Sequence, residues 1–469
     1  MDERGTGRKW AEIWSAVLER FERHAPARVM ARLALAHALP AGWVDEVFEA
    51  HRRRQHSREL LFSTVVELTT LVSLGLRPSL HAAARQRPAL PVSRAWLCDK
   101  VNHTEPAILR ALVRGSAERL APVMAALGAR PSLPGWRLRI LDGNHLAASE
   151  KRLAPLRGCR GAALPGQSVV VCDPDLDLVT DLVAEEDAHA SERVAAMPLL
   201  GSARPGEVWV ADRHFRTGAV LQALHGAGAC FIVREHGRHP RRAGQAEWQG
   251  RGRISTGAVR EQSIEAEGQQ APWRRIELAL DAPTEDGEAT IRLWSNLPEA
   301  VGAGRVAELC RTRWRIEGLF GRLDSVLNSE LASLGHPRAA LLGFAVSVLA
   351  YNVLALLAGC VEAAHQHQEP PPEVSTYHLA LQVRGSYEGM LVAVPPEHWP
   401  SPHEAGPGRL AERLLCLARH IDPRQVATSK RKPKPKPPKG YVDGRTARSH
   451  AATEPILAQG ILAQARTRP

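Results

Sequence analysis

The apolar positions of the chain change their period twice. Up to about residue 133 they recur at helical spacing, through Trp10–Phe21, Val29–Leu39, Leu60–Leu74 and Ile108–Leu127, with Pro26, Pro40, Pro78 and Pro91 between them. Thr104 ahead of Pro106 marks a helix start. From Trp136 the pattern shortens to runs rich in branched residues, which predict strands: Leu138–Leu141, Ser168–Cys172, Leu178–Val183, Val208–Ala211 and Cys230–Val233. Pro174-Asp175 is a turn between two of them, and Ser191–Leu200 and Gly218–Gly226 read as helices. Three strands, a helix, a strand, a helix and a strand predict a mixed sheet covered by helices on both faces.

Between about 238 and 300 this rhythm breaks. Trp273–Leu280 and Ile291–Leu297 alternate apolar and polar residues, as half-buried antiparallel strands do, so a β-rich insertion is expected. Its stretch Gly250–Gly257, GRGRISTG, resembles a phosphate loop only superficially. It lacks the G-K-[ST] ending and reads as a hairpin loop. Helices resume from about 303 to 364. Ala339–Val361 is apolar and long enough to span a bilayer. Ser347, Tyr351 and Asn352 interrupt it and no second such span occurs, so it reads as a buried core helix. Residues 429–440, SKRKPKPKPPKG, alternate Lys with Pro, which predicts an extended disordered tail that either grips phosphates or solubilises.

Charge adds a partner. Lys plus Arg is 61 and Asp plus Glu is 50, a net +11, which favours a polyanion and most simply nucleic acid. The basic cluster His51–Arg54 is either a solvated helix face or a phosphate contact. Seven scattered cysteines include no C-x-x-C pair, which excludes zinc-finger spacing and fits reduced thiols in a cytosol. The opening MDERGTGRKWAEIW has no apolar core, so export is not expected.

Three acids carry candidate chemistry. Asp142 ends the apolar run in RLRILDGNHL, and Asp212 ends another in EVWVADRHF. Glu317 lies in the helical stretch ELCRTRWRIEGLFGRLDSVL, on one stripe with Cys310, Arg313 and Asp324. Two strand ends and one helix bring three carboxylates towards one point, a donor set for hard divalent cations. Two metals roughly 3.5–4 Å apart activate a nucleophile and stabilise the leaving oxygen of a phosphodiester. Arg313, one turn from Glu317, is placed to hold it or to reach a phosphate. Asp173 also follows a strand but reads as a hairpin cap. His145, His189 and His214 read as packing groups, and Asp187 and Glu192 as acids at a helix start. Trp294 reads as core packing, with base stacking as the alternative.

In LDGNHLAASEKRL, in the run from EEDAHASE to EVWVADRHF, and in RTRWRIEGLFGRLDS, the chain resembles DDE transposases of bacterial insertion sequences, of the IS-four type, with an RNase H-like core. The resemblance covers roughly residues 130–365. The family's third motif, Y-x-x-R-x-x-x-E-x-x-x-x-x-x-K, is matched by Arg313 and Glu317, whereas Cys310 stands at the tyrosine and Asp324 at the lysine. Arg322, two residues from Asp324, faces elsewhere on the helix. The resemblance implies an α/β fold: an RNase H-like mixed sheet flanked by helices, with a β-rich insertion and an N-terminal all-helical domain.

It further implies a metal-dependent enzyme that cleaves and joins DNA at transposon ends. Asp142, Asp212 and Glu317 would be catalytic and hold two Mg2+ or Mn2+ ions, and Arg313, Arg213, Arg322 and Trp294 would contact DNA. The DNA partners are transposon ends and target DNA, with a homodimer in the complex, no membrane, and a cytoplasmic, nucleoid-associated location. The expected organisation is a helical domain over 1–133 (candidate DNA-end binding), core over 134–237, insertion over 238–300, helical completion of the core over 301–365, and a C-terminal region over 366–469. Two other readings stay open: a catalytically impaired, transposase-derived DNA-binding protein, and an RNase H-like nuclease that cleaves without joining.

Overall fold

Among the described residues seven helices come first: α1 (Glu3–His24), α2 (Pro26–Ala38), α3 (Ala41–His51), α4 (Phe62–Ser73), α5 (Leu80–Arg85), α6 (Arg94–Asn102) and α7 (Pro106–Ala126). The starts of α2, α5, α6 and α7 follow capping chemistry. The Ser79 and Ser93 hydroxyls accept from the Ala82 and Trp96 N–H groups, and Pro26 and Pro106 open α2 and α7, where no N–H is needed. Thr104 differs from expectation. Its hydroxyl donates back to the Lys100 carbonyl, and Glu105 takes the cap position of α7. The computed structural model describes residues 3–56, 59–87, 90, 92–147, 153–158, 162–235, 242–266, 272–284, 287–330, 334–400, 406–428 and 450–466. The Lys/Pro run 429–440 lies outside the described residues.

The strands are β1 (Arg137–His145), β2 (Ala162–Leu164), β3 (Gln167–Asp173), β4 (Leu178–Glu185), β5 (Glu207–Ala211), β6 (Cys230–Arg234), β7 (Arg242–Gln245), β8 (Gln249–Ile254), β9 (Gly257–Ala266), β10 (Trp273–Leu280) and β11 (Thr290–Ser295). Ten of them form one sheet in the order β4-β3-β1-β5-β6-β11-β10-β9-β7, with β8 also on β9. β1 is parallel to β5 and β5 to β6, whereas β3 and β4 are antiparallel. This mixed sheet, flanked by helices and preceded by a helical region, is the RNase H-like arrangement. The insertion strands do not form a separate sheet, because β11 pairs antiparallel with β6 and continues the central one. The glycine-rich stretch is β8 and the turn into β9, a hairpin rather than a phosphate loop.

Strand alternation divides the sheet's side chains between two cores. Leu138, Ile140, Val170, Val208, Val210 and Ile232 point into one, which also contains the N-terminal helices. α11 (Ala303–Arg311), α12 (Trp314–Leu327) and α13 (Pro337–Ala364) pack in it too. Leu141, Val169, Trp209, Ala211 and Phe231 point into the other. That face is covered by α8 (Glu192–Ala195), α9 (Met197–Leu200) and α10 (Gly218–Gly226). The expected single helix over Ser191–Leu200 is therefore two short ones. Further on, α14 (Thr376–Arg384), α15 (Tyr387–Ala393), α16 (Pro407–Ala418) and α17 (Pro423–Val426) follow. Last come β12 (His450–Ala452), parallel to β2, and α18 (Thr453–Arg466).

The apolar helix α13 lies wholly inside the protein along its most hydrophobic stretch. Its polar residues explain how. The Ser347 hydroxyl lies 2.7 Å from that of Ser73, and Tyr351 accepts from Arg322 at 2.6 Å. Asn352 accepts from the Val179 N–H and donates to the Val179 carbonyl, both at 2.8 Å, clamping α13 to β4. Asn352→Leu would leave both Val179 groups buried and unpaired, at about 1–3 kcal/mol each. We expect a loss of about 2–4 kcal/mol in urea unfolding. A loss below about 0.5 kcal/mol, the range of ordinary surface changes, would contradict the clamp.

Candidate active site

β1 and β5 are parallel, and their last paired residues are Leu141 and Ala211. The next residue on each is the aspartate. Asp142 and Asp212 thus stand side by side at the same end of adjacent strands, and alternation turns Asp142 to the face that α12 covers. Asp142 does not end its strand as expected. β1 continues to His145 and pairs there with β3, so residues 142–145 extend beyond β5. Asp212 follows β5 directly and opens a single 3-10 turn, Arg213–Phe215.

Glu317 lies in the first turn of α12. The stretch expected as one continuous helix is broken at Thr312-Arg313, where the Thr312 hydroxyl donates to the Leu309 carbonyl. The break sets Arg313 at the head of α12, between strand and helix. Its Nη1 donates to Asp142 Oδ2 at 2.9 Å and its Nη2 to Glu317 Oε1 at 2.8 Å. Burial alone would lower the guanidinium's proton affinity. The charges of Asp142, Asp212 and Glu317 outweigh it and raise it. One cation therefore sits among three carboxylates.

The Asp142 carboxyl is strongly perturbed. Burial pushes its carboxyl up to about 6, against the lowering effects of Arg313 and the Gly143 N–H, with Asp212 and Glu192 pushing the same way as burial. The Gly143 N–H donates to Asp142 Oδ1 at 3.0 Å. Glu317 is more open, with 45% of its side chain exposed against 18% for Asp142.

All three acids offer hard oxygen donors from rigid elements, and a guanidinium already marks the place where positive charge is favoured. On that ground the residues fit a divalent cation. Among the described residues no three carboxylate, histidine or cysteine side chains converge at ligand distance. Asp142 and Glu317 are each drawn onto Arg313 instead.

The family described as Transposase DDE domain matches residues 138–353, from β1 into α13. This segment is a transposase DDE domain. All three acids lie inside it. No curated protein matches the chain.

Around the three acids, the other expected contacts divide. Arg213 follows Asp212 at the rim, 41% exposed and 3.8 Å from Glu288. Arg322 does not join the site. It packs against α13, bonds Tyr351 and lies 3.5 Å from Asp177 in the β3–β4 turn, at the opposite end of the sheet. Trp294 is fully buried, its N–H directed to Glu235 and its ring under the Arg216 guanidinium at 4.0 Å, so it cannot stack on a base. The exposed aromatic beside the acids is Trp314, 62% exposed, with Arg313 5.1 Å from its ring centre. It borders a cavity of about 420 Å³ that Ala211, Cys310, Arg313, Leu278 and Leu293 also line. Burial pushes the Cys310 thiol up to about 11, so it stays protonated at neutral pH.

Asp173 sits at the other end of the sheet as a hairpin cap, accepting from the Asp175 and Leu176 N–H groups and pairing with Arg137 and Arg139. Two further acids stand beside the end of β1, where the sequence pattern does not place them. Glu192 lies against Gly143 and 3.7 Å from His145. Glu330 bonds the Asn144 side chain and the Ala147 N–H, and burial followed by the charge of Asp324 raises its carboxyl. Exposed Asp324, where the family carries lysine, therefore faces another acid beside β1.

A folded-state value near 6 against an ordinary 3.8 means that the fold holds the Asp142 proton more tightly than the unfolded chain does. The associated stability is present below 3.8 and is lost as pH rises through about 6. In metal-free buffer, Asp142→Asn should raise stability at pH 8 by on the order of 1–3 kcal/mol and leave it unchanged near pH 4. Thermal unfolding of both proteins across that range checks this. A gain equal at both pH values would contradict the shift.

Proposed function

We propose that the chain is a DNA transposase that cuts and rejoins strands at the ends of an insertion sequence of IS-four type, with Asp142, Asp212 and Glu317 as its metal-holding catalytic acids. The observation that carries this reading is the Arg313 bridge, which gathers an acid from β1 and an acid from α12 beside Asp212 within a transposase DDE domain. The family acts through strand cleavage and joining with divalent metal. When bound, two Mg2+ or Mn2+ ions supply nucleophile activation and stabilisation of the leaving 3′ oxygen.

The chain's own residues do the rest. Asp142 and Asp212 fix one side of the site from adjacent paired strands that cannot shift independently, and Glu317 closes it from α12. Arg313 offsets the charge of the acids it bridges. Its fork of N–H groups suits a phosphate. Arg213 supplies a second cation at the rim, and Trp314 offers a ring for a base. The net +11 charge favours the DNA partner. The helical residues 1–133 are assigned to DNA-end contact, 134–237 and 301–365 to the catalytic core, 238–300 to its insertion, and 366–469 to a C-terminal region. The working form is a homodimer on DNA, in the cytoplasm at the nucleoid.

The test is incubation of the purified chain with Mg2+ or Mn2+ and a DNA fragment carrying the sequence that flanks its gene. Nicks at defined ends and joined products are expected. Asp142→Ala, Asp212→Ala and Glu317→Ala should each lower cleavage by about 10³-fold, since several kcal/mol of charge stabilisation is lost, while DNA binding persists. Cleavage without joining would indicate a nuclease. Binding without any cleavage would indicate a transposase-derived DNA-binding protein, the reading that Asp324 in place of lysine favours.

A further inference from the structure

We infer that Glu192 is a fourth carboxylate of this site, a positioning residue that acts on the bound cations through their water shell from across β1. The inference rests on the metal reading above. Its basis is a close approach. Side chains alternate along β1, so the position a Cβ would take on Gly143 lies on the face opposite to Asp142. There it would meet Glu192 Oε1 at 2.4 Å and Cδ at 2.5 Å. Any residue larger than glycine would push the carboxylate away. The glycine after Asp142 is therefore a steric requirement for Glu192 to reach the backbone beside the first acid.

Three further observations place the group. Glu192 is the first residue of α8, and that segment is pinned to the sheet's second face by Ala195, Ala196, Leu199 and Leu200. The Glu192 side chain remains 26% exposed, and its Oε1 lies 3.7 Å from His145 Nδ1 at the end of β1. Finally, β1 passes beyond β5 after Leu141, which leaves residues 142–145 with an edge that β5 does not cover. Asp142 approaches that edge from one face and Glu192 from the other. With Asp212 and Glu317 the site holds four carboxylates, whose charge equals that of two divalent cations. Outer-shell partners of this kind typically change metal affinity about 10–100-fold.

The experiment is calorimetric titration of the full chain with Mn2+, together with thermal unfolding of each variant. Glu192→Gln should weaken Mn2+ binding about 10-fold with an unchanged unfolding temperature. Gly143→Ala removes no charge but displaces Glu192, and it should weaken binding to a similar degree. The two changes combined should be no worse than either alone, because both remove one interaction. Should Gly143→Ala fail to fold, Glu192→Asp, which draws the carboxylate back by one methylene, replaces it and should also weaken binding. Unchanged affinity in Glu192→Gln, or losses that add in the combined variant, would overturn the inference while the three-acid site stands. Absence of Mn2+ binding by the unaltered chain would overturn both.

Discussion

The contact between Arg313 and two acids is the constraint on which the site depends. Asp142 is carried by the sheet and Glu317 by a helix 175 positions further along (142 to 317), and nothing in the local geometry of either element brings them together. A planar guanidinium with its donors in a fixed fork does so, at 2.9 and 2.8 Å. The position of that guanidinium follows from the break between α11 and α12. A continuous helix would have carried Arg313 in mid-helix, whereas the break sets it at the head of α12, facing β1. Like charges at Asp142, Asp212 and Glu317 repel, and the Arg313 cation among them offsets that repulsion.

The remainder of the fold keeps that geometry rigid. The two aspartates stand on parallel neighbours in the middle of a ten-stranded sheet, each covered on both faces. Behind them, α13 runs through the core as an almost wholly apolar rod whose few polar atoms are matched: Asn352 to β4, Ser347 to α4, Tyr351 to Arg322 of α12. Each of these bonds links a different element to the same helix. Buried polar groups with full partners specify one arrangement of their neighbours, because any other leaves them unpaired. The insertion contributes similarly, since β11 extends the sheet from β6 instead of forming a body of its own.

The parts legible in the sequence were those set by local pattern. Branched runs marked β1, β3, β4, β5 and β6 to within a few residues, and alternation marked β10 and β11, because period two and burial are properties of adjacent positions. Asp142 and Asp212 were legible for the same reason, as acids where buried runs stop. What was not legible depends on contacts between distant segments. Trp294 reads as core packing from its alternation, and what rules out the base-stacking alternative is its packing on Trp273 and Arg216. Arg322 looked like a spare cation until Tyr351 and Asp177, far away in sequence, were seen to pair with it. Glu192 was read as an acid at a helix start; the only local sign of its second contact is the glycine at 143. The helix break at Thr312 carries no Pro or Gly, so helical periodicity passed over it.

The central claim, that divalent cations bind among Asp142, Asp212 and Glu317, is most directly tested by localised oxidative cleavage. Fe2+ would replace Mg2+ in the purified chain, ascorbate and peroxide would generate hydroxyl radicals at the bound ion, and the fragments would be mapped by mass. The account predicts cuts confined to three places, the end of β1, the β5 junction at Asp212 and the first turn of α12, all suppressed by excess Mg2+. Cuts elsewhere, or the same cuts in the presence of excess Mg2+, would contradict it.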